Sequence, residues 1–400
     1  MAQHGYLKLS DIDVNNKRVF LRLDLNVPLK DGVILDDTRI QAALPTLNNL
    51  IERGARVVIG SHLGRPKTKE DRPKYSLEPV ANRLNELGFE VLLMDSPKSD
   101  APLELIKGLS GKKIILLENL RYAEGETKNS GELAAKWSRY TDVYVNDAFG
   151  ACHRAHASID ALPKLIPQRA YGYLIEKEMT SLDKIKSNAP APFVLLTGGS
   201  KVSDKIPVLE SFADKVESVL IGGAMAYTFL KAQGTSVGGS LVENDKITMA
   251  KNFLRKMEVA NKKVYLPVDH IVVNKFEDTE FQVTSGEMIP GDQIAVDIGP
   301  KTRKLYSDVI QEAGSVFWNG PMGIYERKPF DEGSVAMAEA LAKSSAFTVI
   351  GGGDSAAAAV DSGFAEEMSH ISTGGGASLE YIQGVALPGL EALKVRLIEE

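Results

Sequence analysis

Short apolar runs alternate along the chain with longer segments in which apolar residues recur every three or four positions. Each run is nearly continuous rather than interrupted by polar residues, which is typical of strands buried on both faces of a sheet. Eleven strands are predicted in this way: Val19–Leu25, Val57–Gly60, Val91–Met94, Ile114–Leu117, Val143–Val145, Phe193–Leu196, Val219–Ile221, Val264–Val268, Val316–Trp318, Phe347–Ile350 and His370–Ser372.

The segments between the runs have the periodicity of amphipathic helices. In Thr38–Arg53, for example, Ile40, Leu44, Leu47 and Ile51 lie at helical spacing. The other predicted helices are Leu77–Leu87, Glu132–Tyr140, Ile175–Lys186, Ser203–Lys215, Asp245–Met257, Arg303–Ala313, Gly333–Lys343, Ala356–Val360 and a last one over about 388–400.

Alternation of strands and helices over the whole length predicts an α/β protein with parallel sheets covered by helices on both faces. Eleven strands are too many for one open sheet, so we expect two doubly wound domains. The loop-like stretch Ser187–Pro192 favours a boundary within 160–192. We expect a first domain over 1–172, to which the helix of about 388–400 returns, and a second domain over 173–387. The pattern by itself does not show on which of the two domains that last helix packs.

Composition narrows the class of protein. The 400 residues are 44% apolar and 25% charged, which excludes a disordered chain, a collagen-like fibre and a disulfide scaffold. The net charge of −6 argues against a general nucleic-acid binder. A single cysteine, Cys152, fits a reducing cytoplasm, and neither a signal peptide nor a membrane span is expected.

Charge is distributed unevenly. Residues 1–170 hold 25 Lys and Arg against 22 Asp and Glu, whereas the rest of the chain holds 22 against 31. Twelve of the 16 arginines lie in the first 170 residues, and the arginine fork suits phosphate and carboxylate. Chance drift of surface charge explains the imbalance equally well until the positions of these arginines are considered.

Polar residues follow the predicted strands of the first half. In an open parallel sheet the carboxyl ends of the strands share one edge, where ligands bind. Arg22, Asp24 and Asn26 alternate at the end of the first strand and need partners, which a ligand or an internal hydrogen-bonded network would provide. Cationic side chains recur at the same edge: Arg39, His62, Arg65, Arg121 and Arg154. This set predicts a pocket for a small, highly negative ligand, and His153 and His156 lack the partners of a zinc site.

In the second half the strands are followed by glycines. The segments are Thr197–Lys201, Gly222–Gly223, Asn319–Gly323, Gly351–Ser355 and Thr373–Ser378. Glycine lets a backbone approach a ligand closely, and amides at a helix N-terminus bind phosphate. Asp354 beside such a site suggests a Mg²⁺ ligand. Lys201 and Lys205 share one face if their helix begins near Ser200. Neither a Walker motif nor a Gly-x-Gly-x-x-Gly fingerprint is present.

An arginine-rich anion pocket in one domain and a glycine-rich phosphate site in the other point to phosphoryl transfer. The sequence also resembles the phosphoglycerate kinase family from end to end. The segments that carry the resemblance are Arg22–Pro28, Ser61–Pro66, Glu118–Arg121, Asn146–Gly150, Gly198–Lys205, Trp318–Gly323, Gly351–Ser355 and Ser372–Glu380.

The resemblance implies two Rossmann-like domains joined by a hinge, and a monomer. It implies a cytoplasmic enzyme of glycolysis and gluconeogenesis, a phosphotransferase with a carboxyl group as acceptor. The enzyme would move the acyl phosphate of 1,3-bisphosphoglycerate to ADP, giving 3-phosphoglycerate and ATP, with Mg²⁺. No nucleic-acid or membrane partner is expected.

The resemblance also assigns roles to residues. Binding of 3-phosphoglycerate falls to Asp24, Leu25, Asn26, Arg39, His62, Leu63, Gly64, Arg65, Arg121 and Arg154. Catalysis falls to Arg39, Lys201, Gly352 and Gly375. Nucleotide binding falls to Lys205, Gly223, Gly299, Asn319, Pro321, Glu326, Gly351, Gly352, Gly353, Asp354 and Ser355, with Asp354 also the metal ligand. Two alternatives stay open: a kinase for another carboxylate, and a nucleotide-dependent binding protein without catalysis.

Overall fold

The computed structural model describes residues 5–395 and divides the chain into two units. One unit contains the residues up to Thr180 together with those from Val385 onward, and the other is Ser181–Gly384. The division lies eight residues beyond the expected end of the first domain at 172 and falls inside a helix.

The first unit is built on one six-stranded parallel sheet. Its elements are β1 (Arg18–Leu23), β2 (Leu29–Lys30), β3 (Val33–Ile34), α1 (Thr38–Glu52), β4 (Arg56–Gly60), α2 (Glu78–Glu86), β5 (Glu90–Leu93), α3 (Pro102–Leu105), β6 (Lys113–Leu116), α4 (Glu124–Thr127), α5 (Gly131–Ser138), β7 (Val143–Asp147), α6 (Leu162–Leu165), β8 (Gln168–Tyr171) and α7 (Tyr173–Ser187). The strand order is β5-β6-β4-β1-β7-β8. Strands β4, β5 and β6 therefore lie on one side of β1, and the later strands β7 and β8 lie on the other.

The alternation along β1 explains how this sheet is buried on both faces. Val19, Leu21 and Leu23 belong to the core that includes α1 and α2. Phe20 points the other way and packs against Trp137 and Tyr144, with ring centroids 5.8 and 6.1 Å apart. Both faces are therefore apolar, as the continuous runs predicted.

The second unit has its own parallel sheet. Its elements are β9 (Phe193–Thr197), α8 (Ile206–Ala213), β10 (Ser218–Ile221), α9 (Met225–Ala232), α10 (Ile247–Val259), β11 (Lys263–Tyr265), β12 (His270–Val273), β13 (Gln282–Val283), β14 (Ile294–Ile298), α11 (Pro300–Gln311), β15 (Ser315–Asn319), α12 (Glu332–Lys343), β16 (Phe347–Ile350), α13 (Gly353–Asp361), β17 (His370–Ile371) and α14 (Gly376–Ile382). The order β11-β10-β9-β15-β16-β17 is that of a dinucleotide-binding fold, with its switch point between β9 and β15.

The prediction of two doubly wound α/β domains is confirmed, and all eleven predicted strands are present. Several elements were not predicted: the hairpin β2-β3, the edge strand β8, helices α9 and α14, and the antiparallel sheet β13-β12-β14. That small sheet packs around Ile271, Val273, Val296 and Phe330. Among the described residues, no helix is long and apolar enough to cross a membrane.

The last predicted helix is shorter than expected where it is described. Helix α15 (Pro388–Glu391) ends after four residues, and 396–400 lie outside the described part of the chain. The N–H of Gly389 donates to the carbonyl of Cys152 (2.9 Å), and the guanidinium of Arg169 donates to the carbonyl of Lys394 (2.6 Å). These contacts hold the C-terminal segment in the first unit.

Asp147 links the end of β7 to the start of α7. Its carboxylate accepts a hydrogen bond from the N–H of Ile175 in the first turn of α7 (3.0 Å). The side chain is fully buried, and burial raises the pKa of Asp147 to about 7.

We expect Asp147→Asn to alter how stability depends on pH. An unfolded aspartate has a pKa of about 3.9, so the wild type should lose up to about 1.4 kcal/mol of unfolding free energy per pH unit through this group between about pH 4 and 7. The Asn variant lacks this loss, so its stability relative to wild type should rise across the window. Urea titrations at about pH 4.5, 6 and 7.5 measure the difference. A stability difference that stayed constant over these values would contradict the prediction.

Candidate active site

Loops that follow β1, β4 and β6 meet at the carboxyl edge of the first sheet. The N–H of Gly64, after β4, donates to Oδ1 of Asn26, after β1 (2.7 Å). Arg121, after β6, donates from Nη1 to the carbonyl of the same Gly64 (2.6 Å). The structure therefore brings together three residues that the sequence assigned to one pocket.

Arg39 enters the site as the second residue of α1. Its Nη1 donates to Oδ2 of Asp24, which lies just beyond the end of β1. Burial raises the pKa of Asp24, but the nearby His62, the charges of Arg39 and Arg22 and the hydrogen bond from Arg39 together outweigh it, so the pKa lies below its ordinary value. A cation at a helix N-terminus is disfavoured unless an anion faces it, and Asp24 provides one.

Five arginines gather at this edge, and we call them the arginine cluster: Arg22, Arg39, Arg65, Arg121 and Arg154. Burial, together with the charges of Arg22, Arg154 and Arg65, lowers the pKa of Arg121 to about 10. Burial and the charges of Arg22, Arg121 and Arg154 lower the pKa of His156 to about 3. Because these cations also repel one another, an anionic ligand would be stabilised here.

Arg65 and Arg154 differ in how they are held. The side chain of Arg65 is exposed and has no hydrogen-bond partner within residues 5–395. Arg154 is half-buried and donates from Nε to Nε2 of His153 (3.0 Å). Leu25 and Leu63 are buried among core residues, so any contact they make with a ligand has to come from their backbone.

Glu118 and Asn119, just after the end of β6, support the pocket, although the sequence assigned no role to them. The buried side chain of Asn119 donates to the carbonyls of Leu63 (2.7 Å) and Tyr75 (2.9 Å) and accepts from the N–H of Arg121 (3.1 Å). Glu118 accepts from the N–H of Leu77 (2.8 Å). Their position at a strand end was the available signal, but Leu63, Tyr75 and Leu77, which they hold, lie 40 or more residues away in sequence.

The carboxyl edge of the second sheet is lined by backbone rather than by charged side chains. The segments after β9, β10, β15, β16 and β17 form this surface, which we call the glycine edge: Gly198–Lys201, Gly222–Gly223, Gly320–Gly323, Gly351–Gly352 and Ser372–Gly375. The N–H groups of Gly199 and Gly223 donate to the carbonyls of Pro321 (3.0 Å) and Met322 (2.8 Å). Predicted nucleotide-binding segments from three strands are thus tied together at the switch point.

Asn319 and Lys205 form the polar centre of the glycine edge. Lys205 donates from Nζ to Oδ1 of Asn319 (2.5 Å), and Asn319 donates from Nδ2 to the carbonyl of Gly351 (2.6 Å). Burial lowers the pKa of Lys205, while Asp354 and Asp204 oppose this shift. Because the amide of Asn319 is occupied on both sides, it positions Lys205.

The prediction that Lys201 and Lys205 share a helix face was wrong. Helix α8 begins only at Ile206, so both lysines lie in the turn before it. Lys201 is exposed and has no hydrogen-bond or ion-pair partner within residues 5–395. The described part of the chain therefore leaves the Lys201 ammonium unrestrained, whereas Asn319 fixes Lys205.

Two helices begin directly at the glycine edge. Helix α13 starts at Gly353 and α14 at Gly376, and the first N–H groups of a helix have no partner inside it. The hydroxyl of Ser355 accepts from the N–H of Gly320 (2.6 Å) and donates to the carbonyl of Gly351 (3.4 Å), so it is already engaged within the glycine edge. Glu326 is exposed in the segment after β15, and Gly299 is buried directly before α11.

A resident metal centre is not built from side chains here. Within residues 5–395, no three His, Cys, Asp or Glu side chains are close enough to hold a metal ion. Asp354 is exposed in the first turn of α13, and its charge reaches Lys205. One carboxylate beside a phosphate site suits Mg²⁺, which keeps several waters and takes phosphate oxygens as ligands.

Comparison with known proteins decides the family. The family model of phosphoglycerate kinase matches residues 9–385. The chain is 53% identical over 395 residues to the phosphoglycerate kinase of Bdellovibrio bacteriovorus, with 98% of each chain covered. It is 47% identical over 388 residues to that of Clostridium perfringens, covering 96% of this chain and 98% of the relative. The chain belongs to the phosphoglycerate kinase family.

Solved structures of phosphoglycerate kinases have the same fold. That of Coxiella burnetii gives a TM-score of 0.86 at 40% identity and covers 97% of this chain and 98% of its own. That of Pyrococcus horikoshii gives 0.82 at 34% identity, with 96% and 98% covered. Membership of the phosphoglycerate kinase family makes this chain an enzyme, a glycolytic kinase that uses a nucleotide as a substrate.

Proposed function

We propose that this enzyme transfers the acyl phosphate of 1,3-bisphosphoglycerate to Mg-ADP, reversibly, giving 3-phosphoglycerate and ATP. The observation that carries the proposal is the contrast between the two sheet edges. The arginine cluster presents guanidinium groups that suit a small ligand with several negative charges. The glycine edge presents backbone N–H groups and two helix N-termini, which suit the phosphates of a nucleotide.

For each ligand we propose the residues that the family resemblance implies, and this contrast supports them. The 3-phosphoglycerate site consists of Asp24, Leu25, Asn26, Arg39, His62, Leu63, Gly64, Arg65, Arg121 and Arg154. The nucleotide site consists of Lys205, Gly223, Gly299, Asn319, Pro321, Glu326, Gly351, Gly352, Gly353, Asp354 and Ser355. Because each site belongs to one domain, transfer requires closure about a hinge, which brings the reacting atoms within about 3 Å and excludes water.

The proposed chemistry needs no general base. The attacking group is a phosphate oxygen of ADP or, in reverse, a carboxylate, and both are ionised at pH 7. Catalysis then consists of positioning the reactants in line and stabilising the charge on the transferring group. We assign this to Lys201, Arg39 and the amides near Gly352 and Gly375, the residues directly before α13 and α14.

Asp354 would hold the Mg²⁺ that accompanies the nucleotide. When bound, the ion neutralises phosphate oxygens of the nucleotide. Lys205 remains nearby as a second positive group, fixed by Asn319. We further propose that the enzyme acts as a monomer in the cytoplasm, in keeping with its single cysteine and its family.

A coupled assay tests the proposal. The purified chain is given Mg-ATP with 3-phosphoglycerate, acetate or aspartate in turn, and ADP release is followed. We expect turnover with 3-phosphoglycerate alone, because the arginine cluster favours a ligand that carries both a carboxylate and a phosphate ester. Turnover with another carboxylate would favour a different acyl-phosphate kinase. Absence of turnover with all three would favour a binding protein.

Arg65→Ala should raise the KM for 3-phosphoglycerate and leave the KM for Mg-ATP unchanged. Arg65 is exposed and unpaired within the described residues, so it is available to hold the end of the ligand that does not react. Loss of one charged hydrogen bond corresponds to roughly a tenfold increase in KM. Initial rates with each substrate varied in turn measure the two constants. A rise in the KM for Mg-ATP instead would contradict the assignment of the two sites.

A further inference from the structure

Arg22 is the most deeply buried member of the arginine cluster. Its side chain has no exposed surface, although it belongs to a charged residue at the end of β1. Nε donates to Oγ of Ser158 (2.8 Å), Nη1 donates to the carbonyl of Leu23, and Nη2 lies 3.2 Å from Nδ1 of His62. With all three nitrogens engaged, the guanidinium has a fixed orientation.

The contact with His62 determines where the imidazole carries its proton. A guanidinium has only donors, so the atom that meets Nη2 must be an acceptor. Nδ1 of His62 is therefore unprotonated, and a neutral ring then carries its single proton on Nε2. Within residues 5–395, no group accepts a hydrogen bond from Nε2.

The surroundings of His62 keep the ring neutral. The charged groups that face it are Arg22 and Asp24 from the end of β1, Arg39 from α1 and Arg121 from the segment after β6. Burial holds the pKa of His62 well below its ordinary range; Asp24 opposes this shift, and the three arginines reinforce it. A second proton on this ring would face three cations and one carboxylate.

We propose that Arg22 is a positioning residue, which fixes the proton of His62 on Nε2 so that the imidazole presents a neutral N–H donor to the anionic substrate. This inference rests on the proposed function only in naming 3-phosphoglycerate as that substrate. The arginines then supply the positive charge of the site, and His62 supplies a directed hydrogen bond. A His62 tautomer with the proton on Nδ1 would place a lone pair where an N–H is needed.

Buried partners hold Arg22 in place. Glu126 is fully buried and accepts from the N–H (2.9 Å) and Oγ (2.6 Å) of Ser158, the same hydroxyl that accepts from Arg22. Burial raises the pKa of Glu126, and the charge of Arg22 opposes this. Tyr144 donates from its hydroxyl to the carbonyl of Ser158 (2.7 Å). Ser158 is thus held from α4 and β7, and through its hydroxyl it holds the guanidinium.

The tautomer can be measured directly on the ligand-free protein. Long-range ¹H–¹⁵N correlation spectra of the full chain, labelled at histidine, distinguish Nδ1–H from Nε2–H, and His62→Gln identifies the His62 signals among six histidines. We expect a protonated Nε2 and an unprotonated Nδ1 at pH 7. A proton on Nδ1, alone or in a doubly protonated ring, would overturn the inference.

Arg22→Met tests the cause. It removes every donor while keeping a long apolar side chain, and we expect the His62 spectrum to become a mixture of both tautomers. The KM for 3-phosphoglycerate should rise about tenfold, with kcat and the KM for Mg-ATP changed less than about twofold. An unchanged tautomer would overturn the inference whatever happens to KM, because it would mean that Arg22 acts through its charge alone.

Controls separate this role from folding and from the proposed function. If Arg22→Met fails to fold because Glu126 loses its countercharge, Arg22→Met/Glu126→Gln removes both buried charges and carries the same expectation. Arg18→Met changes the arginine at the other end of β1, which pairs with Asp142, and should alter neither the tautomer nor KM. A wild type that did not use 3-phosphoglycerate would refute the proposed function and leave the spectrum as expected.

Discussion

Replacing Lys201 with alanine is expected to lower kcat about a hundredfold or more, because removal of one group that stabilises transition-state charge has an effect of this size. The KM for Mg-ATP should change less than about twofold, since an interaction that strengthens only in the transition state contributes little to ground-state binding. The structural basis is the freedom of this side chain. Lys201 lies in the turn after β9, exposed and without a partner within residues 5–395, so its ammonium is available to a transferring phosphoryl group.

Two further lysine variants serve as comparisons for Lys201→Ala. Lys205→Ala removes an ammonium that Asn319 holds in place, so it should weaken nucleotide binding as well as turnover. Lys251→Ala changes an exposed lysine on α10 and should leave both constants near those of the wild type. Steady-state kinetics with both substrates measure all three variants. If Lys201→Ala reduced binding and rate to the same extent, Lys201 would be a binding residue only.

The second large effect is expected from Gly223→Ala at the glycine edge. Gly223 has a positive φ of 64°, and a Cβ there would lie 2.5 Å from the backbone nitrogen and 2.6 Å from the backbone oxygen of Gly199. The carbonyl of Pro321 would lie 2.9 Å away. These are backbone atoms, so the segments after β9, β10 and β15 would have to separate.

We expect this variant to lose about 3 kcal/mol of unfolding free energy and to raise the KM for Mg-ATP at least about tenfold, from left-handed strain and overpacking together. The KM for 3-phosphoglycerate should stay close to the wild-type value. Gly222→Ala should be milder, because its nearest contact is the flexible side chain of Met322 at 2.5 Å. Gly286→Ala should be neutral, since no atom lies within 4 Å of its Cβ. Urea unfolding and initial rates measure these effects, and a Gly223→Ala enzyme with wild-type stability would contradict the prediction.

The parallel sheets could be predicted because the strands that form them are nearly continuous apolar runs. Leu195, Val316 and Val349 are buried, as apolar residues of a central strand are whichever strand pairs with them, so local sequence is sufficient to recognise their strands. The strand β13 of the antiparallel sheet could not be predicted, for the opposite reason. Gln282 and Val283 are both exposed, and their strand exists only because they pair with Ile271 and Val272.

Some residues of the candidate site could likewise be predicted from local sequence, and others could not. Arg39, Arg65, Arg121 and Arg154 were recognisable because charged side chains directly follow predicted strands or open the helix after one. The roles of Asn119 and Glu126 were not, because both depend on partners that are distant in sequence. Arg22 illustrates both cases: alternation predicted a polar residue that needs partners, but its partners His62 and Ser158 were visible only in the structure.

By itself, then, the sequence determined the class of fold, the edge of each sheet where the candidate site lies and the type of group found there, because hydrophobic periodicity and residue type are local properties. Only the tertiary structure decided which groups are neutralised and which stay available. Asp24 pairs with Arg39, Asn319 holds Lys205, and Lys201 remains free within the described residues. Pairing depends on distances between segments that are far apart in the chain, and burial then sets how strongly the paired charges interact. No local sequence pattern encodes either of these.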